Sequence, residues 1–135
     1  MYMSIVIPVS FDAKKNTDAA VEAAKALASE GAAFTFLHVI EELPGYYARY
    51  IPKEAFSTSR GTLQAELDAL AANIPNANTC LLEGHSGREV VSWSKTNGAD
   101  CIVLASHKSA VSDLLLGSTA QYVARHAGCA VHIVR

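Results

Sequence analysis

The chain has 135 residues, half of them hydrophobic, with 11 Lys and Arg against 13 Asp and Glu for a net charge of −2. That length fits one domain able to bury most of its unfolded-state surface, and the charge balance lacks the basic footprint of general nucleic-acid binding. No apolar run reaches the ~20 residues of a membrane helix, and three cysteines without a CxxC pair argue against a disulfide framework or zinc site and for a reducing cytoplasm.

Residues 3–9 form a continuous apolar run ended by Pro8 and Ser10, the pattern of a central strand buried on both faces of a parallel sheet. The run is short and lacks a basic leader, so it reads as a strand and not a signal peptide. Asn16 and Thr17 can cap a helix whose inward stripe is Val21, Ala24, Leu27 and Ala28, with Gly31 just past its end. Residues 34–40 are the second strand. Residues 41 to about 59 read as a long connection carrying Tyr46, Tyr47, Tyr50 and Phe56. It is either a surface loop packed by its own aromatics or a lid or interaction surface.

Leu63, Leu67, Leu70 and Ala71 recur at helical spacing until Pro75, and residues 79–82 form the third strand. Ser86-Gly87-Arg88-Glu89 reads as a capping box with Ser86 at the N-cap. The helix it opens turns Val90, Trp93 and Ser94 inward and ends at Gly98. A fourth buried strand at Cys101–Ala105, a helix over 119–127 and a strand at Ala130–Val134 complete a βαβαβαβαβ order. Such alternation predicts a single-domain α/β fold, an open parallel sheet with helices on both faces and right-handed crossovers. Its ligands bind beyond the carboxyl ends of the strands, which gathers Ser10, Val39, the loop after Ala105 and the Gly117 turn at one edge.

Gly117 offers a tight turn, and Ser118 and Thr119 add N–H groups and hydroxyls at a positive helix end, a geometry suited to a polyphosphate. Ser118 and Gln121 are equally spaced as a capping box, in which case the serine serves only its own helix. A helix end gives an anion about 0.3 to 2 kcal/mol, whereas micromolar binding needs ~8 kcal/mol. The rest would come from Lys108, a metal ion on the phosphates, and burial of a base against Val9 and Val39.

His38 and His132 read as packed or hydrogen-bonded sheet residues, His126 as a cation in a helix's last turn, and His85 as part of a loop before a cap. His107 follows a strand at the ligand edge and reads as a positioning group. Cys80 and Cys101 read as small buried hydrophobes. No metal spacing, GxSxG elbow or GxxxxGK[ST] loop is present, and Asp12 is the acidic residue able to reach the cleft.

Ile5-Val6-Ile7-Pro8-Val9, Leu37-His38-Val39, Glu83-Gly84 and the closing segment together resemble the universal stress protein family. The nucleotide-binding branch of that family carries Gly, two residues, Gly, nine residues, then Gly-Ser or Gly-Thr. Here the positions read Ala105, Ser106-His107, Lys108, eight residues, Gly117-Ser118, similar to a branch with Ala-Ser-His-Arg. The family's usual acidic residue after Pro-Val is Ser10 in this chain. The resemblance implies a Rossmann-like sheet of strand order 3-2-1-4-5 with four helices, and an ATP site. Adenine would lie near Val9, Ser10 and Val39, ribose near Pro8 and Ala105, and phosphates at His107, Lys108, Gly117, Ser118 and Thr119. It also implies Mg or Mn on the phosphates, a homodimer through Ala130–Val134, and a stress-response sensor or adaptor more than a catalyst, with an unknown protein partner and neither nucleic acid nor membrane. The alternatives are a dimeric interaction module that uses no nucleotide, and a slow ATPase or autophosphorylating protein.

Overall fold

Ile5, Val6 and Ile7 in the middle of the first strand, β1 (Tyr2–Pro8), are 1%, 0% and 1% exposed, so this strand is covered on both faces. A computed structural model of the chain describes residues 1–11, 14–41, 53–106 and 116–135, and for 14–16 and 53–58 the backbone alone. The elements that follow β1 are α1 (Lys14–Leu27), β2 (Ala28–Ile40), α2 (Lys53–Ala71), β3 (Ala77–Glu83), α3 (Ser86–Thr96), β4 (Cys101–Ala105), α4 (Ser118–His126) and β5 (Ala130–Val134). The five strands pair in parallel in the order β3-β2-β1-β4-β5, as expected from the family resemblance.

Successive strand side chains point to opposite faces, so each buried strand feeds two cores. Ile5, Ile7, Phe34, Phe36, Cys101 and Val103 pack with Ala20 and Ala24 of α1 and Leu67 of α2. Val6, Leu37, Ile102 and Leu104 pack on the other face with Val90 of α3 and with Ala120 and Val123 of α4. The chain therefore winds outward from β1 through α1 and α2 on one face, then returns to β4 and winds the other way through α3 and α4. The point of reversal lies between β1 and β4, the central pair.

Several boundaries differ from the sequence reading, three of them for a clear reason. The first helix stops at Leu27, and Ala28 already pairs with Tyr2, whereas Ser4 pairs with Ala33. The extra residues of β2 form a bulge-like irregularity in which Gly31 has φ +77, a conformation costly for a residue with a Cβ, so this glycine serves the strand and does not, as the sequence reading had it, close the helix. The connection expected over residues 41 to about 59 is helical from Lys53, because Lys53-Glu54-Ala55 are good helix formers behind Pro52. The lid or interaction role considered for Tyr46, Tyr47 and Tyr50 falls outside the described residues. β3 begins at Ala77, two positions early, because the ladder with β2 already starts at Phe34.

β5 is an edge strand, its Val131, Ile133 and Val134 half-buried and His132 exposed. Among the described residues no helix is long and apolar enough to cross a membrane.

Candidate functional site

The backbone of β1 runs past its last ladder pair, and Val9 N–H donates to Leu37 O at 2.8 Å. His38 then closes the same corner from β2, its Nδ1 lying 2.7 Å from Val9 O. A carbonyl only accepts, so Nδ1 of His38 carries the proton of this bond. Its ring also leans on Phe11, with centroids 4.8 Å apart. His38 is thus hydrogen-bonded within the sheet, as its strand position suggested.

Beyond this corner opens a cleft of about 400 Å³. Pro8, Val9 and Ser10 line it from the end of β1, and the segment from Leu37 to Glu41 from the end of β2. Leu63 of α2, Ser86 and Val90 of α3, and Thr119 of α4 complete the wall. The cleft therefore stands at the carboxyl edge where ligands of open parallel sheets bind.

Two helices bring their first turns to this wall. α3 is capped by His85, not by Ser86: His85 Nδ1 accepts from Arg88 N–H at 3.2 Å and His85 O from Glu89 N–H at 2.9 Å. Ser86 is the first helical residue, and its hydroxyl is engaged elsewhere, by Thr119 Oγ1 at 3.1 Å. The capping-box reading of Ser86 fails because a tertiary partner claims the serine.

The capping box expected at Ser118 and Gln121 is absent as well. The N-cap of α4 is Gly117, which makes no side-chain cap, and Ser118 is exposed. Gln121 turns its amide to Leu116 O at 2.6 Å, while its N–H donates to Gly117 O at 2.9 Å. Gly117 has φ −60, open to any residue, so the tight-turn reason given for this glycine does not hold. Its N–H is held by the hydroxyl of Ser106 at 3.4 Å, and Ser106, only 5% exposed, donates its own N–H to Val134 O at 2.8 Å.

Of the residues singled out in the sequence, Pro8, Val9, Ser10, Val39 and Thr119 come together around the cleft. Ala105 ends β4 paired with Val134, and Gly117 and Ser118 sit at the start of α4, beside Thr119; these three do not line the cleft. His107, Lys108 and Asp12 lie outside the described residues. Ser86, Leu63, Val90 and Ile40 line the wall without having been singled out for the site. Ser86 follows the end of β3, so the rule that gathers strand ends at one edge applied to it too. Leu63 and Val90 carry only a core-stripe signal.

Among the described residues no group of His, Cys, Asp or Glu is arranged to hold a metal ion. Among the described residues the shifted acids are the thiols. Burial pushes Cys101 up to about 11 and raises Cys129, and it raises Cys80 against the opposing hydrogen bond with Trp93. All three cysteines are free; Cys101 is buried as expected, whereas Cys80 is half-buried.

The model of the universal stress protein family matches residues 1–135. Universal stress protein G of Shigella flexneri is 29% identical over 145 aligned positions, covering 100% of both chains. Universal stress protein UspA from Lactobacillus plantarum superposes with a TM-score of 0.79 at 22% identity, over 99% of this chain and 98% of that one. A universal stress protein in complex with cAMP gives 0.63 at 23% identity, over 99% and 97% of the two chains. One from Archaeoglobus fulgidus in complex with dAMP gives 0.63 at 22%, over 99% and 98%.

Proposed function

The chain belongs to the universal stress protein family, and on that premise we propose that the cleft at the ends of β1 and β2 binds an adenine nucleotide, ATP in a cytoplasmic, homodimeric stress-response sensor or adaptor. The observation that carries this reading is the start of α4. Its first turn has no side-chain cap among the described residues, and its Thr119 lines the cleft. Helix N–H groups without an internal partner favour an anion there. The capping box was the competing explanation of Gly117-Ser118-Thr119, and Gln121 and Ser118 do not form it.

The remaining wall fits a nucleoside. A volume of about 400 Å³ falls within the roughly 300 to 1,000 Å³ usual for small-molecule sites. Val9, Val39, Ile40 and Leu63 offer apolar surface to a base, and the Ser10 hydroxyl can donate or accept. In this reading the ribose lies near Pro8 and Ala105, and the phosphates at His107, Lys108, Gly117, Ser118 and Thr119. Mg2+ or Mn2+ would be held chiefly by phosphate oxygens, as hard cations are in nucleotide sites. That relatives were solved with cAMP and dAMP supports the adenine nucleotide class. The homodimer rests on β5, whose edge would otherwise present open backbone groups beside Val131 and Ile133.

Isothermal titration of nucleotide-stripped protein with ATP and magnesium tests the reading. Saturable heat supports it, and the absence of heat from folded protein overturns it in favour of a nucleotide-independent module. Lys108→Ala is expected to weaken ATP more than adenosine. Size-exclusion chromatography with light scattering tests the dimer separately.

A further inference from the structure

Ser86 and Thr119 belong to different helices, and their hydroxyl oxygens lie 3.1 Å apart on the wall of the cleft. Two hydroxyls hold two protons, and one hydrogen bond between them uses one. Thr119 Oγ1 donates to Ser86 Oγ, so the proton left over is that of Ser86. No third partner engages either hydroxyl among the described residues, and both side chains are half-buried and face the cleft. A half-buried donor on the cleft wall is available to an acceptor on whatever fills the cleft.

We infer that Ser86 is a ligand-binding residue which, as one unit with Thr119, donates a single hydrogen bond to a phosphoryl oxygen of the bound nucleotide. This rests on the nucleotide reading above and extends it to a second helix. A phosphoryl oxygen is the favoured acceptor because Thr119 stands in the first turn of α4, where negative charge is stabilised. His85 leaves Ser86 free for this task. By capping α3 itself, it spares the serine hydroxyl from closing its own helix. A phosphoryl oxygen held by the Ser86 hydroxyl, itself held by Thr119, also ties α3 to α4, so an occupied cleft resists separation of their first turns.

The test compares AMP with adenosine on the full chain by calorimetry. Ser86→Ala is expected to weaken AMP about tenfold, the loss of one hydrogen bond to a charged group, while changing adenosine less than about twofold. Ser86→Thr, which keeps a hydroxyl, should stay within about threefold of wild type for AMP. Combining Ser86→Ala with Thr119→Val should cost less than the product of the two single losses, because both break the same unit. Far-UV circular dichroism checks the fold of each variant, and Ser86→Cys, a weak donor, replaces the alanine variant if that one does not fold. Wild-type affinity for AMP in Ser86→Ala, equal losses for AMP and adenosine, or fully multiplicative losses would each overturn the inference. A wild-type protein that binds neither ligand overturns the nucleotide reading itself, an outcome seen before any variant is compared.

Discussion

Gly87 of α3 lies so close to Tyr122 of α4 that a methyl group on its Cα would stand 2.6 Å from the Tyr122 Cβ and 2.8 Å from its Cγ. The absent side chain lets the two helices approach, and the residue before it, Ser86, thereby reaches Thr119 one turn before Tyr122. Tyr122 is fixed in turn between His85, ring centroids 5.3 Å apart, and His126, stacked at 4.1 Å.

Gly87→Ala is therefore expected to destabilise the protein. Helix propensity alone would favour alanine by about 1 kcal/mol, but overpacking costs typically about 1 to 3 kcal/mol. The atom met is a Cβ, which cannot swing aside as a side-chain tip can, so packing wins. Gly61 of α2 is the control, with nothing among the described residues within 4 Å of an added Cβ. Gly61→Ala should stabilise by roughly 0.4 to 1 kcal/mol. Urea denaturation of both variants should show midpoints moving in opposite directions.

The sheet was readable because its information is dense and redundant. Ile5-Val6-Ile7 and Cys101-Ile102-Val103-Leu104 are unbroken apolar runs, which only a strand with two covered faces explains in so short a space. Strand ends alone gathered Ser10 and Val39, which do line the cleft, and Gly117, which does not, while Pro8 was named for the site only through the family resemblance. Caps were not readable. The Ser86-x-x-Glu89 spacing is a good box, yet a cap and a tertiary hydroxyl bond are each worth about 1 kcal/mol, and no local rule ranks them. The early start of α2 was hidden for another reason: its apolar repeat begins only at Leu63, ten residues after the backbone turns helical at Lys53.

The identity of the α3 cap has a direct consequence for stability. His85→Ala removes the acceptor of Arg88 N–H and the ring beside Tyr122, and should cost about 0.5 to 2 kcal/mol. His85→Asn restores an N-cap acceptor and loses only the ring contact, so its loss should be smaller. Ser86→Ala leaves the cap in place and should cost less than His85→Ala. Chemical denaturation of the three variants would give the reverse order if Ser86 were the cap.

At the opposite end of the sheet Asp100 ties β1 to β4. Its two carboxylate oxygens accept from Met3 N–H at 2.9 Å and Ser4 N–H at 3.0 Å, and its own N–H donates to Ser4 O at 3.0 Å. Asp100→Ala strips both acceptors where the register of β1 against β2 shifts, between Tyr2 and Ser4. The Met3 bond is exposed and contributes little, while the part-buried Ser4 bond should carry most of a loss of about 1 to 2 kcal/mol. Amide exchange should accelerate at Met3 and Ser4 and stay unchanged at Ile5 to Ile7. Uniform acceleration along β1 would mean that the carboxylate holds the whole strand.

Cys101 makes stability fall at alkaline pH. Burial is the main cause that pushes its thiol from 9.0 up to about 11, with the nearby Cys129 and Asp100 adding to it. The folded chain thus keeps a proton that the unfolded chain releases, so the contribution is complete below pH 9 and declines as pH rises toward 11. Cys129 and Cys80, raised in the same direction, steepen the decline. Cys101→Ala should lower stability at pH 7 by leaving a small cavity, yet flatten the fall between pH 9 and 11 relative to wild type. Denaturation midpoints measured across that range, wild type minus variant, isolate this thiol from the other groups that titrate there. A thiol reagent at pH 8 should leave Cys101 unmodified in folded protein and reach it once denaturant is added, since the thiolate is the reacting form. Rapid labelling of Cys101 in the folded chain, with unchanged pH dependence in the alanine variant, would show that the strand opens far more readily than its place in the core allows.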